Sequence, residues 1–164
     1  MLNLTPRTWF FLGFLFCAGL LLAAAYFEYV EGLEPCPLCI TQRLMVLAVG
    51  LVLLAAALHH PGKTGTRVYA LLGSGLALLG AAVSARHVWL QHLPPEAVPA
   101  CGPGLEYMLN NFPLVQTLGF LFSGTGECAE VSWSFLGLSM PAWTLLAFIV
   151  LGSISLPQFW NART

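Results

Sequence analysis

Long apolar runs alternate with short polar segments along the chain, at roughly residues 9–27, 40–58, 68–88 and 141–158. Each is near the length of about 20 residues that a helix needs to cross a hydrocarbon core. The pattern therefore predicts four transmembrane helices, and the short connections imply an up-down four-helix bundle. The first run has Arg7 before it and Ala23, Ala24 and Ala25 near its end, as a secretory leader would. Its apolar stretch exceeds the ~7–15 residues usual for a leader core, so it reads as a span.

Between the spans lie two outer loops of unequal size, residues 28–35 and 89–140, and the second holds most of the polar chain. Within it, residues 105–122 are nearly long enough to cross a membrane but contain Glu106, Asn110, Asn111, Pro113 and Gln116. Leu105, Met108, Leu109, Phe112 and Val115 recur at helical spacing, which predicts a short amphipathic helix lying in the membrane interface. The alternative, a fifth span, would put Cys101 and Cys128 on opposite sides of the membrane. Gly73, Gly75 and Gly80 in the third span are expected to be helix-packing contacts.

Composition agrees with the pattern. Hydrophobic residues make up 58% of the chain and charged residues 8%, with a mean hydropathy of +0.81, which excludes a soluble domain with a hydrated surface. The formal net charge of -1 and the scattered basic residues give no surface for nucleic acid. Arg7, Lys63, Arg67 and Arg163 fall at one end of the spans, and the rule that basic residues stay inside makes that end cytoplasmic, with both termini. The acidic residues Glu28, Glu31, Glu34, Glu96, Glu106, Glu127 and Glu130 and the cysteines Cys36, Cys39, Cys101 and Cys128 then lie on the outer side. Cys17, amid Phe and Leu in the first span, is a packing residue.

The chemistry concentrates in EPCPLCITQR, residues 34–43. Pro35 and Pro37 favour a helix start there. Cys39 then lies near unsatisfied backbone N–H groups, and Arg43, one turn on, adds a permanent positive charge; both stabilise a thiolate. An arginine at such depth requires a partner, whether a thiolate, a carboxylate, water or an electron-rich ligand. A structural bridge between Cys36 and Cys39 with Arg43 snorkelling to the headgroups is the competing reading. A zinc site would have to recruit Cys101 and Cys128, which lack ligand-pair spacing, so no resident metal is expected. Those two cysteines sit beside glycines, in VPACGPG and GTGECAE. Both a mobile, exchangeable disulfide and a static one remain open for them.

The chain resembles the bacterial DsbB family of inner-membrane thiol oxidases. The resemblance is carried by CPLCITQR at the start of the second span, HVWLQHLP ahead of Cys101, and GECAEVSWSFLGLSMPAW leading into the fourth span. It implies an all-α, four-span membrane protein that reoxidises a periplasmic thioredoxin-fold partner, DsbA, and passes the electrons to membrane quinone. By the same resemblance DsbA attacks a Cys101–Cys128 disulfide at Cys101, Cys128 then attacks Cys36, and Cys39 is released as a thiolate facing the quinone. The expected quinone is ubiquinone, with menaquinone as the alternative. Arg43 and His87 match family residues near the quinone. A vitamin K epoxide reductase-like enzyme and a zinc-binding membrane module are the rival readings.

Overall fold

The computed structural model describes residues 5–59, 61–100, 107 and 111–161. Four of its helical stretches are long and apolar enough to cross a membrane: α1 (Pro6–Tyr29), α2 (Pro37–His59), α3 (Lys63–Leu90), and Met140–Trp160, which takes in α5 (Met140–Ser155) and most of the short α6 (Pro157–Asn161). Thr5 caps α1 by accepting a bond from the Thr8 amide at 3.4 Å, and Pro6 fills the first helical position, where the missing N–H costs nothing. Glu28, expected in the first outer loop, instead occupies the last turn of α1. Gly32, with φ of +68°, reverses the chain shortly after that helix.

α3 has 28 residues and is therefore about 42 Å long at 1.5 Å per residue. That exceeds a hydrocarbon core of about 30 Å. It begins five residues before the predicted span, because Lys63 to Arg67 already form its first turns.

The four long helices pack in a ring, α1 on α2, α2 on α3, α3 on α5 and α5 back on α1. Phe10, Cys17, Val49, Leu53, Phe148 and Leu151 are central to the buried core. Cys17 is 1% exposed and its side chain faces Gly50, as a small apolar group would. Of the three glycines expected at packing contacts, Gly73 and Gly80 are at such contacts, whereas Gly75 faces open space. At Gly80 an added Cβ would clash with the Phe148 ring, which is itself buried and cannot withdraw. Gly80→Ala is expected to destabilise the bundle by about 1–3 kcal/mol; an unchanged unfolding midpoint in detergent would show that α3 and α5 separate freely there.

Arg7 Nε donates to the Ala57 carbonyl at 2.9 Å, and Arg67 lies over the Phe159 ring at 5.8 Å. Of the basic residues that the pattern grouped, Arg7, Lys63 and Arg67 thus lie at one end of the bundle, opposite Cys36, Cys39 and Cys128; Arg163 lies outside the described residues.

The segment between α3 and α5 contains α4 (Leu114–Ser123), a one-turn helix over Gly126–Ala129, and a hairpin of β1 (Ser134–Phe135) and β2 (Leu138–Ser139). α4 covers the second half of the predicted amphipathic helix and begins directly after Pro113; Leu105, Met108 and Leu109 lie outside the described residues. It packs on α2, where the Leu121 carbonyl accepts from the Thr41 hydroxyl at 2.9 Å. Val115 is 81% exposed, so the predicted apolar stripe is not wholly turned to protein.

The hairpin was not predicted. Its two-residue turn, Leu136–Gly137, has φ of +52° and +78°, the mirror-image turn that fits strand twist. Leu-Gly is a poor sequence signal for it, since asparagine or aspartate usually fills the first place. After the hairpin α5 (Met140–Ser155) ends before Pro157, which opens the short α6 (Pro157–Asn161).

Candidate functional site

Cys36 stands just ahead of α2, and its carbonyl accepts the Ile40 amide at 3.1 Å, the first bond of the helix. Cys39 is one turn inside. Their sulfurs face each other at 3.3 Å with Cys36 donating, and both are free thiols. The helix start that Pro35 and Pro37 predict is what brings two sulfurs three residues apart into contact.

Cys128 reaches the same point from the one-turn helix over Gly126–Ala129. The loop holding it is seated by Gly124, whose φ is +79° and whose missing side chain leaves room for Leu38 and Leu90, each 2.7 Å from where a Cβ would lie. Cys128 is completely buried in a small cluster with those two leucines. The sulfurs of Cys36 and Cys128 and a ring nitrogen of His87 all lie within 4.8 Å of one another. Cys101 lies outside the described residues; its neighbour Ala100 accepts a bond from the Gly126 amide at 3.2 Å, beside the turn that carries Cys128.

Among the described residues, Cys36 and Cys128 are the two thiols outside the membrane-spanning helices, and both resist ionisation. At Cys36 the hydrogen bond from Cys128 favours the thiolate, but its own bond to Cys39 and its burial outweigh this and push it up to about 12. The Cys128 thiol is raised by its hydrogen bond to Cys36 and by burial. In the dithiol form both keep their protons at neutral pH.

Arg43 lies one turn after Cys39 and makes an ion pair with Glu28 of α1, while its second terminal nitrogen donates to the Ala24 carbonyl at 3.2 Å. The partner that its depth requires is therefore a carboxylate, and the side chain does not depend on reaching headgroups. Glu28 was not singled out by spacing because it belongs to another helix.

Two cavities meet at the dithiol. One, of about 530 Å³, is lined by apolar side chains including Leu20, Phe27, Val46 and Trp133, with Cys39, Gln42 and Arg43 among its few polar groups. Its outer wall is the hairpin segment. The Trp133 ring lies 4.9 Å from Phe27 and 6.0 Å from Phe135, and the Trp143 indole donates to the Phe135 carbonyl at 3.2 Å. Its size and its sparse, convergent polar groups suit a planar apolar ligand the size of a quinone head group. The second cavity, about 240 Å³, is polar and is lined by Cys36, Cys39, His87 and Gln91 with Glu34, Glu127 and Glu130.

His87 thus lines the polar cavity and not the apolar one. Its Nε2 is 3.7 Å from the Cys36 sulfur, and its Nδ1 is 3.2 Å from the Gln42 side-chain nitrogen. Gln42, 4% exposed, went unnoticed in the sequence between Cys39 and Arg43. Only the packing of α2 against α3 gives it a partner.

The chain is similar to known proteins along nearly its whole length. A family model described as disulfide bond formation protein DsbB matches residues 6–157. A protein named disulfide bond formation protein B from Methylococcus capsulatus is 67% identical over 97% of both chains. Namesakes from Nitrosococcus oceani and Hahella chejuensis are each 60% identical, over 96% and 89% of this chain and 93% and 88% of their own. With four apolar spans, a facing dithiol and a third thiol brought to it, the chain belongs to the DsbB family of disulfide bond formation proteins.

Proposed function

We propose that this DsbB-family disulfide:quinone oxidoreductase draws electrons from a DsbA-like periplasmic dithiol through Cys101 and Cys128, and delivers them through Cys36 and Cys39 to ubiquinone. One observation carries the assignment of roles: Cys39 lines both cavities, whereas Cys36 lines only the polar outer one. The dithiol is a partition between an aqueous side and an apolar side, and Cys39 is its apolar face.

The exchange runs by thiolate attack on disulfide sulfur. The partner's thiolate opens the Cys101–Cys128 bond at Cys101, which frees Cys128. Cys128 attacks Cys36 of the Cys36–Cys39 disulfide from within 4.8 Å. Cys39 leaves as a thiolate at the helix start, toward the cavity that it shares with Arg43. Quinone, when bound, accepts two electrons and two protons, so each turnover converts one partner dithiol to a disulfide. Cys39 and Arg43 face the quinone head group, and Trp133 and Phe27 keep water from that side. His87, beside Cys36, serves the sulfur under attack in place of a direct contact with quinone. The cysteines are periplasmic and both termini cytoplasmic, a reading supported by the gathering of Arg7 and Arg67 at the other end. The single membrane domain spans 1–164, with α4 at the interface.

The family match sets aside the vitamin K epoxide reductase-like reading. The test is quinone reduction by the purified protein in detergent, driven by reduced DsbA. Wild type turns over and Cys101→Ser does not; turnover persisting without Cys101 would remove that residue from the entry step.

A further inference from the structure

We propose that the dithiol form of this protein binds a thiophilic d10 cation, Zn2+ in the first instance, through Cys36, Cys128 and His87, and that the bound ion stops the relay. The inhibition, though not the binding, rests on the functional reading above.

Two soft thiol donors and a borderline imidazole nitrogen, a set that suits zinc, converge here from separate parts of the fold: the start of α2, the turn over Gly126–Ala129, and the last turn of α3. Tetrahedral zinc, with Zn–S near 2.3 Å and Zn–N near 2.0–2.1 Å, holds its ligand atoms about 3.5–3.8 Å apart. Cys36 Sγ and His87 Nε2 are already at 3.7 Å, and the three-donor set spans no more than 4.8 Å. Closure therefore requires shifts of about an ångström or less. The Cys39 sulfur, 3.3 Å from that of Cys36, is within reach of the fourth corner.

Charge and orientation also fit. Binding releases the thiol protons of Cys36 and Cys128, and two thiolates with a neutral imidazole cancel the dication in a buried setting. Gln42 completes the arrangement. With its amide nitrogen toward His87 Nδ1, the imidazole proton sits on Nε2; a half-turn of the carboxamide presents oxygen to Nδ1–H and leaves the Nε2 lone pair for the ion.

An entry path exists as well. The polar cavity that reaches Cys36 and His87 carries Glu34, Glu127 and Glu130, three exposed carboxylates that raise the local concentration of cations. The ion and the disulfide compete for the same sulfurs. With Cys36 joined to Cys39, or Cys128 to another cysteine, the thiolates are consumed and the site is lost.

The test uses full-length reduced protein in detergent, titrated anaerobically with Co2+ and then Zn2+. The expected result is one Co2+ per chain, with the visible absorption of a tetrahedral thiolate site, bleached by one equivalent of Zn2+. His87→Ala and Cys128→Ala are each expected to weaken binding at least tenfold, and Gln42→Ala about tenfold. Cys101→Ala and Cys17→Ala retain the signal, and circular dichroism checks that each variant is folded. Absence of a stoichiometric signal in reduced wild type overturns the site, as does binding undiminished in both His87→Ala and Cys128→Ala. Zinc that binds but leaves quinone reduction unslowed overturns the inhibition. If metal-free protein fails to reduce quinone, the relay is wrong while the cation site stands on its spectrum.

Discussion

Replacing Cys39 with serine is expected to lower DsbA-driven quinone reduction by about 10³-fold or more, the scale of loss when a reacting group is removed from a unit that acts together. A hydroxyl cannot take part in thiol–disulfide exchange, and Cys39 is the one redox thiol among the described residues that lines the apolar cavity. The entry disulfide between Cys101 and Cys128 survives the substitution, but its exit is blocked. The Cys36 thiolate, within 4.8 Å of Cys128, attacks that disulfide at Cys128 and expels Cys101 as a thiolate, and with no Cys39 to reopen it a Cys36–Cys128 disulfide accumulates. Peptide mapping under non-reducing conditions detects it. Quinone reduction near the wild-type rate in Cys39→Ser would mean that electrons leave through another sulfur, and Cys36 would then have to reach quinone from the polar side.

The second large effect is at Arg43. Arg43→Ala removes the guanidinium from the apolar cavity and leaves the Glu28 carboxylate without its ion-pair partner. Hydrogen bonds to charged groups contribute about 1.5–3 kcal/mol, so the KM for quinone is expected to rise roughly ten- to a hundredfold. Both side chains are 27% exposed, so water screens the orphaned carboxylate in part and the bundle still folds. Glu28→Gln separates the two roles: it keeps the cation in the cavity and is expected to change the KM far less than Arg43→Ala does. Equal effects of the two substitutions would assign Arg43 to holding α1 against α2, with no direct part in quinone binding.

Much of this protein is legible in its sequence, because lipid imposes a single strong rule. A segment that crosses a membrane must satisfy its backbone internally and carry apolar side chains, so span number and approximate limits follow from hydropathy. The start of α2 was equally readable, since two prolines flank Cys36 and act through local backbone geometry. The same locality brings Cys36 to Cys39 and puts Arg43 one turn further on.

What the sequence left undetermined depends on contacts between segments far apart in the chain. Nothing near Arg43 announces Glu28, and nothing near Gln42 announces His87, because each pair joins different helices. Hydropathy alone also ended α1 too early and α3 too narrowly, since charged terminal turns remain helical when their backbone bonds are made. The hairpin over Ser134–Ser139 escaped because Leu136 adopts a conformation that its residue type disfavours. The sequence by itself determined a four-span membrane protein with a helix-end dithiol. Only the tertiary structure decided that Cys128 and His87 meet Cys36 on the polar side while Cys39 and Arg43 face the apolar cavity, because that division is made by helix packing and by a loop held on Gly124.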